Sequence, residues 1–431
     1  MSPRPIRLAA PLAALALAVA GASGLAAQGL PTTRPEEVGL SSSRLERLTA
    51  ALDGYLERGA LPGGVLLVAR DGKVAYQRAF GFRDLEARDP MPPDAIFRIA
   101  SQTKALVSVA VLMLQEEGRL LTGDPLSRYL PEFAETTVAE PRDGGGYDVV
   151  PARRPITLRD LLTHTAGIGY GTGPARDRWE AAGIQGWYFA HREEPVRETV
   201  RRMAALPMDA HPGERYVYGY STDILGAVVE VVSGLTLDAF LRSQILDPLG
   251  MVDTHFYVPR EKAGRLATVY SLPRDGALAR APDGAAMEAQ GQYLDGPRTS
   301  FSGGAGLVST AGDYARFLQM LLDGGSLDGT RLLAPSSVAL MTADHVGDRY
   351  TSPGTGFGLG FSVLEDLGAR GSPGTVGEFG WGGAYHSTYW VDPEEGLVVV
   401  YLTQVLPAWG LDDHAKVRAL VYQAVTESHA R

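Results

Sequence analysis

The order of apolar and polar positions predicts strands at both ends of the chain and helices between them. Residues 41–56 open on consecutive serines and place Leu45, Leu48, Leu52 and Leu56 at helical spacing, which predicts an N-terminal helix. Two strand-like runs, 64–70 and 73–77, flank Asp71-Gly72, the strongest short hairpin signal there is. At Ser101 a polar stretch gives way to an almost wholly apolar run, 105–114, which predicts a buried helix reaching about Glu117 and closed by Gly118.

From there to about residue 300 the chain is rich in Pro and Gly. Short helical patterns recur at 158–163, 194–206, 222–233 and 237–246, with no long strand pattern, so the stretch reads as a helical lobe with long loops. Asp143-Gly144-Gly145-Gly146 reads as a flexible tip. Beyond Gly303, a helix at 312–322 precedes strand-like runs at 358–364, 376–379, 385–391 and 397–402. Residues 411–428 then predict a closing helix with Val417, Leu420, Val421 and Ala424 on one face. This order fits an α/β (α+β) fold: an antiparallel sheet assembled from both termini, with an α/β lobe at about 40–117 and 300–431 and a helical lobe at about 118–299.

Composition narrows the partners. With 431 residues, 45% hydrophobic and 21% charged, the chain can bury one large two-lobed core. A net charge of −10 and the lack of any basic run with interleaved aromatics argue against a nucleic-acid partner. Arg4 and Arg7, the uncharged Ala/Leu-rich stretch 8–20 and the small residues through Ala27 predict an export signal over 1–27, too short in its apolar part for a comfortable membrane span. The expected mature chain, 28–431, is then periplasmic or extracellular, with no stable membrane insertion. The absence of an adjacent arginine pair favours general secretion over the twin-arginine route. With no cysteine, disulfides, thiolate metal sites and a cysteine nucleophile are excluded. The 8 histidines show no metal-ligand spacing, so no metal and no cofactor are expected.

The candidate chemistry starts at Ser101-Gln102-Thr103-Lys104. The lysines are Lys73, Lys104, Lys262 and Lys416, and only Lys104 has a serine three positions before it, on the same helical face. Serine chemistry needs a nucleophile, a proton acceptor and donors for an oxyanion. Ser101 and Lys104 supply the first two, and the Ser101 N–H at a helix start offers one oxyanion donor. There is no Gly-x-Ser-x-Gly, which removes the standard α/β-hydrolase reading. His164, in Thr163-His164-Thr165-Ala166-Gly167, reads as a buried loop anchor.

With Ser101-Gln102-Thr103-Lys104 after an N-terminal hairpin, Pro212-Gly213-Glu214-Arg215-Tyr216-Val217-Tyr218-Gly219-Tyr220 further on, and Trp381-Gly382-Gly383-Ala384 at a late strand edge, the chain resembles the serine β-lactamase and penicillin-binding-protein superfamily. The stretches 157–168 and 303–310 are similar to the same group, so the resemblance runs from about Ser41 to the end. It implies a β-lactamase/DD-peptidase-like fold and makes Tyr218 the match to the catalytic tyrosine of class C β-lactamases and related esterases. Two departures bear on the substrate. Tyr220 stands where class C enzymes carry an asparagine, and Trp381-Gly382-Gly383 stands where they carry Lys-Thr-Gly. An indole cannot pair with the carboxylate of a β-lactam, and the Trp-Gly-Gly form resembles the family VIII carboxylesterases.

The resemblance implies that Ser101 attacks an ester carbonyl, that Lys104 with Tyr218 moves the proton, and that the N–H groups of Ser101 and Ala384 bind the oxyanion. Trp381, Gly382, Gly383, Tyr220 and His386 form the expected substrate-binding set, with Tyr220 open between pocket wall and packing and His386 between substrate contact and structure. The expected substrate is a small ester, with an amide or lactam as the lesser possibility. A D-amino-acid peptidase or amidase, or a β-lactamase, acting on cell-wall-like substrates is the enzymatic alternative, and a catalytically idle binding protein of the same fold is the non-enzymatic one.

Overall fold

The computed structural model describes residues 29–430, so the expected export segment 1–27 lies outside the described residues. Strands from both ends of the chain form one antiparallel sheet. Its strands are β1 (Gly63–Arg70), β2 (Lys73–Asp84), β3 (Asp89–Pro90), β4 (Thr355–Phe357), β5 (Ser362–Leu364), β6 (Phe379–Gly383), β7 (Ser387–Asp392) and β8 (Leu397–Leu402). Their spatial order is β4-β5-β6-β7-β8-β1-β2-β3. The hairpin turn between β1 and β2 is Asp71-Gly72, both with positive φ (52° and 75°), the backbone a tight two-residue turn requires.

Both faces of the central strands are covered, which is why β1 and β8 read as unbroken apolar runs. Leu66 and Val68 of β1, with Val399 and Tyr401 of β8, face α1 (Ser42–Glu57) and the C-terminal helix. Val65 and Leu67, with Val398 and Val400, face the larger core. That core contains α2 (Thr103–Glu116), α3 (Ser221–Ser233) and α4 (Ala311–Leu322). The C-terminal helix, α5 (Asp413–Tyr422), packs on α1. α1 starts where its serines predict, with the Ser41 hydroxyl accepting from the Arg44 N–H.

Several elements differ from the sequence expectation. Residues 143–146 lie in the exposed loop of a hairpin between Thr137–Pro141 and Tyr147–Pro151, two strands the apolar pattern did not signal. Tyr270–Leu272 and Ala279–Arg280 are also short strands: Tyr270–Leu272 pairs with Val405–Ala408 on one side and with Ala279–Arg280 on the other. Helices Arg176–Ala181 and Pro335–Met341 had no recognised signal. Within 358–364 only Ser362–Leu364 is strand, the run 376–379 becomes strand only at Phe379, and the closing helix is confined to Asp413–Tyr422. Val376 is exposed and has no neighbour to pair with, whereas Phe379 pairs on both sides.

Arg70 ties the two chain ends together. It is fully buried, forms an ion pair with Glu395 at 2.7 Å, and donates to the carbonyls of Val38 (2.9 Å) and Glu427 (2.7 Å). Arg70→Met leaves the Glu395 carboxylate buried without its cation. The expected loss is roughly 3–5 kcal/mol of stability, read as a lower urea midpoint with an unchanged denaturant slope.

Candidate active site

The turn Ala100–Gln102 is 3₁₀, and α2 proper begins at Thr103, so Ser101 sits just before the helix and Lys104 in its first turn. Ala100 has φ of 42°, a strained value for a residue with a Cβ, at the point that turns Ser101 toward the cavity. The turn is held from several sides. The Tyr314 hydroxyl donates to the Gln102 carbonyl (2.9 Å), the Leu307 N–H to Thr103 Oγ1 (3.0 Å), and Gln102 Nε2 to Ser387 Oγ on β7 (3.1 Å).

Lys104 is buried, 2% exposed, and its Nζ donates to three oxygens: Ser101 Oγ at 3.2 Å, Tyr170 Oη at 3.2 Å and the Gly304 carbonyl at 2.7 Å. These match the three N–H bonds of an ammonium. Loss of one proton would leave a lone pair able to face the serine hydroxyl. The Gly304 loop is itself anchored by Asp223 of α3, whose Oδ1 accepts from Ser302 Oγ (2.6 Å) and from the Gly304 N–H (3.0 Å). Burial pushes the Asp223 carboxyl up, and its hydrogen bonds and the Lys104 charge only partly offset this.

Tyr218 lies over Lys104, with Nζ 4.7 Å from the ring centroid, and its hydroxyl accepts from Trp381 Nε1 at 3.1 Å. The loop 164–170 backs it. His164 packs 4.6 Å from the Tyr218 ring, and its carbonyl accepts from the Val217 N–H (2.7 Å). A Cβ on Gly219 would lie 2.3 Å from the Ile168 carbonyl, so only glycine lets the two segments meet this closely. Burial, then the Lys104 charge, hold His164 well below the usual imidazole range, so it is neutral at pH 7. Tyr170 is pushed well above the usual phenol range by burial and then by Tyr218 and Asp223, so it stays protonated.

β6 completes the wall. β5 pairs with it only at Ser362↔Gly380 and Val363↔Phe379, which leaves residues 381–383 as a bare edge beside Ser101. A Cβ on Gly383 would lie 2.4 Å from the Ile99 carbonyl, so strand and serine turn are in direct contact. The resulting cavity, about 630 Å³, is lined near Ser101 by Tyr170, Trp187, Tyr218, Trp381 and Ala384.

The beta-lactamase family model matches residues 48–423. The chain belongs to the β-lactamase family. Esterase EstB of Burkholderia gladioli is 36% identical over 377 residues, covering 84% of this chain and 91% of that protein. Lovastatin esterase of Penicillium rubens is 33% identical over 387 residues, covering 82% and 92%. Among solved structures, EstCE1, described as a hydrolase with promiscuous acyltransferase activity, matches with a TM-score of 0.75 at 31% identity, over 88% of this chain and 98% of that one. The protein is a serine hydrolase of the β-lactamase and penicillin-binding-protein superfamily, with esterases among its relatives.

In this β-lactamase family member Ser101, Lys104, Tyr218, Trp381, Gly382, Gly383 and Ala384 gather around one cavity. Tyr220 does not join them, which corrects its place in the expected substrate-binding set. It is fully buried, stacks on Trp179 and Phe189, and donates to the Gly186 carbonyl at 2.7 Å. The alternation of Tyr218-Gly219-Tyr220 sends the second tyrosine into the core. Tyr170 was missed, because one tyrosine among 18, two residues past a recognised stretch, carries no spacing signal.

His386 lines the cavity with φ of 59°. Its Nε2 bonds Asp413 Oδ1 (2.7 Å), and its ring stacks on His414 at 4.0 Å. Fully buried Asp413 also accepts from the Tyr401 hydroxyl (2.8 Å). Burial alone would raise the Asp413 carboxyl, but the His386 hydrogen bond and the His386 and His414 charges outweigh it, and the net shift is downward. The donor atoms of His386, Asp413 and His414 lie within 4.8 Å of one another, a grouping that sequence spacing did not signal.

Two outcomes follow from this geometry. Gly383→Ala, which forces β6 away from the serine turn, lowers kcat/KM about 100-fold in steady-state assays while the circular dichroism spectrum is kept. Burial, then the His386 charge, hold His414 down to about 4 against 6.5 when free. Below 6.5 the unfolded chain therefore binds a proton that folded His414 refuses until about 4, so stability is lost as pH falls through that window. Urea midpoints at pH 7 and pH 4.5 will show this fall, and it will be smaller in His414→Asn.

Proposed function

We propose that the protein hydrolyses carboxylic esters through an acyl-enzyme on Ser101. The observation that carries this reading is the 3.2 Å contact between Ser101 Oγ and a buried lysine amine, in a cavity where an indole, not a cation, stands beside the serine. Ser101 Oγ attacks the carbonyl carbon as its proton passes to the Lys104/Tyr218 pair. The carbonyl π electrons move onto oxygen, which accepts from the N–H groups of Ser101 and Ala384. Collapse expels the alkoxide, which takes the proton from the same pair, and the acyl group stays on Ser101. A water then adds to the acyl carbonyl, gives up its proton along the same route, and releases the acid and Ser101.

Trp381 carries two parts of this reading. Its ring makes the wall apolar next to the reacting carbonyl, and its N–H fixes the Tyr218 hydroxyl. The esterase names among the relatives support the same substrate class. The proposed setting is outside the cytoplasm after removal of 1–27, supported by the Arg4/Arg7 start and the apolar stretch that follows.

The test is hydrolysis of p-nitrophenyl acetate, butyrate and octanoate beside nitrocefin and a D-alanyl peptide. Ester turnover exceeds the other two by orders of magnitude and falls to background in Ser101→Ala. Faster turnover of nitrocefin or of the peptide would overturn the esterase reading. Trp381→Phe keeps the aromatic wall but loses the N–H donor, and it lowers kcat about 10-fold with a smaller change in KM.

A further inference from the structure

The cavity that opens on Ser101 does not end at its aromatic wall. It continues along β6 past Gly382 and Gly380 and reaches Arg370, Glu378 and Arg418. The far end therefore holds two guanidiniums against one carboxylate, in a chain whose net charge is −10.

The two arginines are not equivalent. Arg418 is satisfied: its Nη1 and Nη2 meet the two oxygens of Glu378 at 2.7 Å each, and Nη1 also donates to the Pro373 carbonyl (2.9 Å). The Tyr422 hydroxyl donates to the same Glu378 carboxylate (2.6 Å), which fills it further. The other nearby carboxylate, Asp392, is taken by the Thr375 hydroxyl and the Glu395 N–H, and it shares the single Tyr422 proton with Glu378. Arg370 donates through Nε to Ser372 Oγ (3.2 Å), and its Nη1 stays 3.8 Å from Glu378, beyond hydrogen-bond range. Its side chain is 24% exposed. Burial and the neighbouring Arg418 charge both disfavour its cation, and Glu378 does not make up the difference. Apart from the long ion pair to Glu378, a planar fork of terminal N–H groups thus borders the catalytic cavity with no hydrogen-bond acceptor among the described residues, and carboxylates fit such a fork in bidentate fashion.

We propose that Arg370 binds a carboxylate carried by the substrate at the end remote from the scissile ester. This rests on the esterase reading and gives it a substrate class: half-esters and other esters that carry a distant acid group, with the reacting carbonyl against the aromatic wall. At about 3.3 Å per residue along a strand, Gly380 and Ala384 are roughly 13 Å apart, so a chain of about eight to ten carbons joins the two ends.

The experiment compares matched pairs that differ only in a terminal carboxylate: p-nitrophenyl octanoate with mono-p-nitrophenyl suberate, the decanoate with the sebacate, and octyl acetate with 8-acetoxyoctanoate. In the wild type, kcat/KM for the acid member exceeds that of its neutral partner at least 10-fold in one or more pairs at low ionic strength. That ratio falls at least 10-fold in Arg370→Leu and is partly kept in Arg370→Lys. Ratios at or below one in every pair, or a ratio that Arg370→Leu leaves unchanged, would overturn the proposal. Calorimetric binding of monomethyl suberate to Ser101→Ala, with and without Arg370→Leu, separates the two readings. Arg370-dependent binding in a protein that hydrolyses none of the esters would sink the esterase reading and keep the anion site. Ester hydrolysis with binding indifferent to Arg370 would do the reverse.

Discussion

The pairing of β1 with β8 is the constraint on which the rest depends. Six positions, from Val65↔Leu402 to Arg70↔Leu397, join strands more than 300 residues apart in sequence. The pairing closes the sheet from the two chain ends, and everything between must leave it and return. β8 is preceded by β7 and β6, and β1 with β2 leads into α2, so the same pairing brings the bare edge of β6 against the turn that carries Ser101. The 2.4 Å approach that a Cβ on Gly383 would make to Ile99 records how close the two are. Arg70 reinforces the closure by binding backbone from both termini around one buried ion pair.

Inside this frame the site is organised around one buried amine. A lysine in a core costs free energy unless its N–H groups are satisfied, and here Ser101, Tyr170 and Gly304 satisfy them from three separate segments. The chemistry and the packing thus place the same demand on Lys104. Tyr218 approaches it through its ring face and is oriented from the other side by Trp381, so the residue that sets an indole beside the serine also fixes the tyrosine.

Much of this was legible in the sequence where one local rule settled the matter. Asp71-Gly72 marked the hairpin, the apolar run after Lys104 marked α2, and the run Leu397–Leu402 is a strand over its whole length. Sequence failed where partners decide the structure. The apolar pattern broke off at residue 379, and only the family resemblance put Trp381-Gly382-Gly383 at a strand edge, because this segment has little strand propensity of its own and is held extended by β7. Tyr220 turns into the core because Trp179 and Phe189 are there to stack on it, and Tyr170 matters only because its loop folds back over α2. The His386–Asp413 link joins a turn to a helix 27 residues on, which no spacing pattern encodes.

The most direct test of the central claim is to locate the acyl group. The protein is mixed with p-nitrophenyl butyrate, quenched in acid within one turnover, digested and mapped by mass spectrometry. The account predicts a butyryl adduct on the peptide that contains Ser101, reduced in amount but at the same residue in Lys104→Ala. An adduct on any other residue, or full turnover in Ser101→Ala, would contradict it.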